Sequence, residues 1–474
     1  MRHPSRARLA PFAAAAALLI PLAGCTGAED GHGDGPDTGG AHGTPGAAGL
    51  RDPYFPHLGN GGYDVQHYAL TLDYDPARDH LDATAEITAR ATQDLSAFNL
   101  DLTGLTVRRA TVDGTEAAAE RAGDELTLRP RDGIDRGKVF RTVVTYSGTP
   151  RKMTDADGSA EGWLKTKDGA LALGEPAGSM AWFPGNHHPS DKATYDVTLT
   201  VPEGLRAFSN GVRTSERTVG GRTTAVWHSA QPMASYLATV AVGRWTTTTS
   251  TTPSGIPVLT AADPAVAAGS AALMRRIPEL LAWEQENFGP YPFSSTGAIV
   301  EQDGDAGYAL ETQTRPVFPQ GSFDVGTLVH EMAHQWYGDS VSPATWKDMW
   351  LNESFATYAE WLYGEDFEDT PAQRSFEKAF AEDANWAFPP AEPPTARDLF
   401  APPVYQRGAM VLHKIRQTVG DDTFYEILAG WPAKHRHGNA STEDFTTYVE
   451  GVAGEDLSDL WDVWLYGDDK PAKP

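Results

Sequence analysis

One cysteine in 474 residues is the most restrictive scarcity in this chain. Cys25 has no intrachain partner, so no disulfide framework holds the fold. Basic residues are the second shortage: 38 Lys and Arg stand against 64 Asp and Glu, a formal charge of −26. A surface of that sign repels nucleic acid and anionic lipid headgroups, which argues against polyanion binding as the function. Long apolar runs are also missing; Ala10 to Ile20 is too short for an ordinary membrane-spanning helix. No internal repeat is present.

The N-terminus has its own grammar. Arg2, Arg6 and Arg8 form a basic region, the apolar run follows, and Leu22-Ala23-Gly24-Cys25 closes it with small residues before the cysteine. This resembles a bacterial lipoprotein signal peptide over residues 1–24, with Cys25 lipidated as the mature N-terminus. An exported, extracytoplasmic, lipid-anchored protein is expected, touching the membrane through the lipid alone. Loss of the three arginines takes the formal charge from −26 to −29. Residues 25–50 are rich in glycine and poor in large apolar side chains, and read as a flexible tether. His32 and His42 within it read as solvated.

Period-two alternation dominates residues 51–247. Tyr68, Leu70, Leu72 and Tyr74 alternate, as do Leu81 to Ala89, Tyr195 to Val201, and Leu237, Thr239 and Ala241. A Thr-rich stretch near Thr246–Thr252 is the expected boundary. Helical spacing follows over Ala271–Phe288, Gly321–Tyr337, Asp348–Tyr363 and Gly408–Val419. The expected fold class is α+β: a β-sandwich or saddle over 51–247, then a mainly helical domain over 248–474.

The richest feature is His330-Glu331-Met332-Ala333-His334, with Glu353 following in WLNESFATY. On a helix, His330 and His334 lie one turn apart and share a face. Glu353 can join them from a second helix, giving a His₂Glu set for one Zn²⁺ that leaves a coordination position for water. Glu331 lies beside them, placed to take a proton from that water. Glu360, seven residues after Glu353, reads equally as a partner for a zinc histidine or as a surface carboxylate. His187 and His188 read as structural.

The stretch HEMAHQWYGDSVSPATWKDMWLNESFATY resembles the signature of the aminopeptidase N family, the M-one zinc metallopeptidases. YFPHLGNGGYDVQHYALTLDYDP, HHPSDKATYDVTLTVP, QPMASYLATV and FGPYPF resemble landmarks of the same family, so the likeness covers roughly residues 51–468. It implies a β-saddle followed by a thermolysin-like catalytic domain, in a short form without the helical C-terminal domain of many relatives. It implies hydrolysis of the N-terminal bond of peptides with a free N-terminus. Tyr405 matches the tyrosine that steadies the tetrahedral intermediate. Glu311 matches the glutamate that binds the substrate's amino group, and Glu175 a second substrate-contacting residue. Tyr308, Leu310 and Thr312 depart from the family's Gly-Ala-Met-Glu-Asn pattern, and Tyr308 is expected to crowd or line the first specificity pocket. Two other readings stay open: an endopeptidase whose amine-recognition loop has changed, and a lipid-anchored zinc protein that binds peptides without turnover.

Overall fold

Alternation becomes pairing in the first half of the chain. In this computed structural model, which describes residues 42–304 and 306–472, strand Tyr63–Asp75 buries Tyr68, Leu70, Leu72 and Tyr74 to 1% exposure or less. Its antiparallel neighbour His80–Ala91 sets Ala85 opposite Leu70 and Ala83 opposite Leu72. On the other side Lys192–Pro202 runs parallel, with Val197 against Leu70 and Leu199 against Leu72. These strands form the centre of an eight-stranded sheet whose inward faces make one apolar layer. Packed with it are a five-stranded sheet, running from Lys152–Thr154 to Arg206–Ser209, and a four-stranded sheet that includes Leu95–Asp101.

Two expectations need correction here. The tether expected over 25–50 does not extend through its last residues. Thr44–Pro45 pairs with Leu95–Asp101, the Gly46 amide donates to the Ala97 carbonyl at 2.8 Å, and Ala48 bridges Asn60. Glycine here serves close approach: a Cβ on Gly46 would lie 2.4 Å from the Gly61 carbonyl oxygen. Residues 25–41, with Cys25 and His32, lie outside the described residues. The alternation at 237–241 is only partly strand, since Ser235–Leu237 is a 3₁₀ turn and the strand is Val240–Gly243. The Thr-rich run is itself a strand, Thr246–Thr251, at the edge of a second four-stranded sheet.

That second sheet continues through Pro257–Ala262, Thr296–Glu301 and Val317–Pro319, the last two pairings being parallel. Parallel neighbours need crossovers. The first crossover carries helices α1 (Ala267–Met274) and α2 (Ile277–Phe288), where one continuous helix is expected from the pattern. Pro278, in the first turn of α2, has no N–H to continue a helix from α1, but suits a helix start. The second crossover, residues 302–316, has no helix among its described residues and carries Tyr308 and Glu311.

Helix α3 (Val325–Ala333) starts later than its periodicity suggests, because the Asp324 side chain caps it by accepting from the Thr327 amide at 2.9 Å. Helix α4 (Trp350–Phe367) packs against α3 and is buried almost all round. Helices α5 (Ala372–Ala381), α6 (Gly408–Val419), α7 (Asp421–Lys434) and α8 (Thr442–Ala453) surround the pair. The strand-rich and helical halves pack as one unit. Lys192, on the large sheet, donates to the carbonyls of Asp339, Ser340 and Gly438 beyond α3.

Candidate active site

Helix α3 delivers two histidines to one point. His330 sits in its last turn and His334 follows at its C-cap, with ring centroids 4.8 Å apart. Each ring is tied by Nδ1. His334 Nδ1 lies 3.0 Å from the Tyr337 carbonyl oxygen, which can only accept, so Nδ1 carries the proton. His330 Nδ1 lies 2.7 Å from Glu360 Oε1, which settles the role left open for Glu360. Both Nε2 lone pairs therefore face the same point. There Glu353, one turn into α4 and 3% exposed, sets Oε2 at 3.3 Å from His330 Nε2 and 3.4 Å from His334 Nε2.

Those spacings suit a shared ion. Ligand atoms about 2.0–2.1 Å from a tetrahedral Zn²⁺ stand about 3.3–3.4 Å apart. Two imidazoles and one carboxylate are also the ligand types Zn²⁺ takes in catalytic sites. Glu311, Glu331 and His334 form a second group of close donors, and it shares His334 with the first, so the two groups describe one centre.

The centre opens into a cavity of about 270 Å³. His330, Glu331, His334, Glu353, Tyr405, Glu311 and Glu175 all line it, so the described site residues expected from the sequence come together. Tyr405 arrives on a π-helical turn, Pro403–Arg407, and its ring lies nearly parallel to that of His330, with centroids 6.0 Å apart. Glu175 follows strand Ala170–Leu173 from the β half. Glu311 follows Leu310, which exchanges both backbone hydrogen bonds with Val317. The departures from the family pattern sort by direction. Leu310 is 1% exposed and packs in the core, and the Thr312 hydroxyl donates to the Arg315 carbonyl. Of the three, only Tyr308 lines the cavity.

The cavity is acidic. Burial pushes the Glu331 carboxyl up to about 8, against the pull of His330 and His334. Burial also raises Glu175, and the charges of Glu311, Glu353 and Glu331 add to it. Burial raises Glu311 too, while His334 pulls it down. Glu353 goes the other way: burial disfavours its charge, but His334 and His330 beside it bring it down to about 2. Desolvation lowers His334 while Glu353 and Glu311 raise it, with a net shift up to about 9. Four buried carboxylates around two imidazoles thus draw positive charge into the cavity. Glu175 Oε1 and Glu311 Oε1 are buried with no hydrogen-bond partner, a costly state unless a donor arrives.

Sequence reasoning missed the clamp on the Glu311 loop. Gln335 Nε2 donates to the Glu311 carbonyl at 3.0 Å, and Gln335 Oε1 accepts from the Thr314 amide at 2.7 Å. Thr314 has a left-handed backbone, φ 68°, which that bond and the one from the Gly211 amide to its hydroxyl hold in place. The only signal was the position of Gln335 directly after His334. Asp157, Ser159 and Phe400, which also line the cavity, gave no signal beyond an Asp-Gly turn.

Comparison with known proteins agrees with this geometry. Residues 322–464 match the profile described as Peptidase family M1 domain, and residues 64–237 match Peptidase M1 N-terminal domain. Aminopeptidase 2 of Candida albicans is 25% identical over 436 residues, covering 84% of this chain and 46% of that protein. Leucyl aminopeptidase of Saccharolobus solfataricus is 24% identical over 452 residues, covering 86% of this chain and 54% of that protein. The chain therefore spans about half the length of these curated relatives. A crystal structure of the M1 zinc metallopeptidase from Deinococcus radiodurans, a mutant bound to a Tyr-Ser-Ala substrate, superposes with TM-score 0.84 at 29% identity. That match covers 90% of this chain and 99% of the other. Both halves of the chain and the centre between them point the same way: the chain belongs to peptidase family M1.

Proposed function

We propose that the protein is a zinc aminopeptidase that removes the N-terminal residue of peptides. One observation carries the reading: a His₂Glu centre with zinc-like spacing shares a buried cavity with a candidate base and two carboxylates whose oxygens have no partner. When bound to His330, His334 and Glu353, the metal supplies Lewis-acid polarisation of the scissile carbonyl and acidifies a water. Glu331 takes the proton from the attacking water and passes it to the leaving amine; burial keeps its basicity near that task. Tyr405, raised by burial and by the surrounding carboxylates, stays protonated and donates to the developing oxyanion. Glu311 and Glu175 accept hydrogen bonds from the substrate's α-ammonium. An internal peptide brings only a neutral amide to that end of the cavity and leaves both carboxylates unanswered, which favours an exopeptidase.

Aminoacyl-coumarin substrates and their N-acetylated counterparts test this directly, with wild type beside Glu331→Gln. Cleavage restricted to free-amine substrates, abolished by chelation and reduced about 10²–10⁴-fold in the variant, is expected. Equal cleavage of acetylated substrates would make the protein an endopeptidase.

We also propose that the enzyme works outside the cytoplasm, lipid-anchored at Cys25. The reading rests on the N-terminal pattern of the sequence. Mass spectrometry of the N-terminal peptide from membranes tests it. An unmodified Cys25 within an uncleaved N-terminus would refute it.

A further inference from the structure

The cavity has a second charged region, away from the metal ligands. Among its lining residues are five carboxylates (Asp157, Glu175, Glu311, Glu331 and Glu353) and no Lys or Arg. A metal ion and an α-ammonium would answer the deep groups, which leaves an acidic wall at the mouth with no Lys or Arg in the cavity lining. Asp157 marks where it lies. It sits on the hairpin between Lys152–Thr154 and Ala160–Lys165, exposed where Glu175 and Glu311 are buried, so it stands at the mouth while they stand deep. Its carboxylate is held by its own turn, with Oδ1 accepting from the Ser159 amide at 2.7 Å and Oδ2 from the Ser159 hydroxyl at 3.0 Å.

Tyr308 and Phe400, both partly buried, also line this cavity. The Tyr308 hydroxyl is buried and has no hydrogen-bond partner, and neither has Asp155 Oδ2 on the same hairpin. Burial and then the charges of Glu175, Glu161, Glu311 and Asp155 raise Tyr308 well above the usual phenol range, so its surroundings are anionic. An unanswered hydroxyl in such a setting can accept an N–H from a cationic head group. Two aromatic faces with a carboxylate at the mouth suit a side chain that has an apolar stem and a charged tip.

We infer that this wall is the subsite for the side chain of the substrate's first residue and that it selects a cationic one, arginine or lysine. The stem lies against Tyr308 and Phe400, and the head group meets Asp157. The inference rests on the aminopeptidase reading and adds a substrate class to it. Tyr308, the one departure from the family pattern that reaches the cavity, becomes part of the selectivity.

The test compares kcat/KM for arginyl-, citrullinyl-, lysyl- and norleucyl-coumarin, in wild type and Asp157→Asn, at low and high salt. Citrulline matches arginine in shape without its charge. Asn keeps an oxygen for the Ser159 amide, so the hairpin turn survives. Wild type should favour arginine over citrulline by about tenfold or more, less at high salt, and Asp157→Asn should bring the ratio within about threefold. A wild-type ratio near one, or a ratio unmoved by Asp157→Asn, overturns the inference while leaving the aminopeptidase reading intact. Failure to cleave any free-amine substrate overturns both.

Discussion

Replacing Glu360 by Leu should loosen the metal without touching a ligand. Of the two candidate histidine ligands, His334 is oriented by a backbone carbonyl that no side-chain substitution removes. His330 depends on Glu360, whose Oε1 is 2.7 Å from Nδ1. A hydrogen bond to a charged group contributes about 1.5–3 kcal/mol. The Glu360 side chain is 38% exposed, so solvent screening brings the figure to the low end, about 1.5 kcal/mol or roughly tenfold in affinity. Loss of orientation adds to this, and outer partners of zinc histidines typically matter by about 10–100-fold. The expected result is a zinc Kd raised about 10–100-fold in Glu360→Leu, measured by competition with a chromophoric chelator. Glu360→Gln, which keeps an acceptor oxygen but no charge, should fall between. At saturating zinc, kcat should stay within a few-fold of wild type, because Glu331 and Tyr405 are unchanged. An unaltered Kd in Glu360→Leu would refute the reasoning that the ring is held from this side.

Other consequences follow from the same geometry. Tyr405→Phe should lower kcat by about 10²–10³ with little change in KM, since the hydroxyl is needed only as charge develops; an equal rise in KM would assign it to ground-state binding instead. Glu311→Gln should raise KM for free-amine substrates and narrow the gap between free and acetylated ones, as steady-state kinetics on the paired substrates would show. Glu284, fully buried in α2 with both carboxyl oxygens unpartnered, is raised well above its usual range by burial. A raised folded-state value means stability is retained below about pH 4.5 and lost as pH rises, because only the unfolded chain ionises there. Glu284→Gln should therefore match wild type near pH 4.5 in thermal melts and exceed it increasingly above, by up to about 1.4 kcal/mol per pH unit. A gap constant with pH would show the carboxyl to be charged in the fold.

The chemistry was more legible in the sequence than the shape of the cavity. His330, His334 and Glu353 could be read because helix geometry turns short spacings into shared faces, and α3 and α4 then pack in contact. Tyr405, Glu311 and Glu175 could not be placed by spacing; only resemblance brought them to the site, with 93 residues of chain between Glu311 and Tyr405 alone. Asp157 and Phe400 were invisible, because an exposed turn and a loop aromatic carry no periodicity to mark a cavity wall. Glycine misled at the N-terminus. The composition that reads as a tether is also what lets Gly46 approach the Gly61 carbonyl, and local sequence does not separate the two uses. The break between α1 and α2 is marked in the sequence only by Pro278, while the apolar spacing runs on across it.

The most direct test of the central claim is metal stoichiometry set against activity. Protein stripped with chelator and titrated with zinc should recover aminopeptidase activity linearly and stop at one equivalent per chain, while Glu353→Ala should retain no stoichiometric zinc and no activity. Activity that persists in fully stripped protein, or one tightly held zinc in Glu353→Ala, would contradict the account.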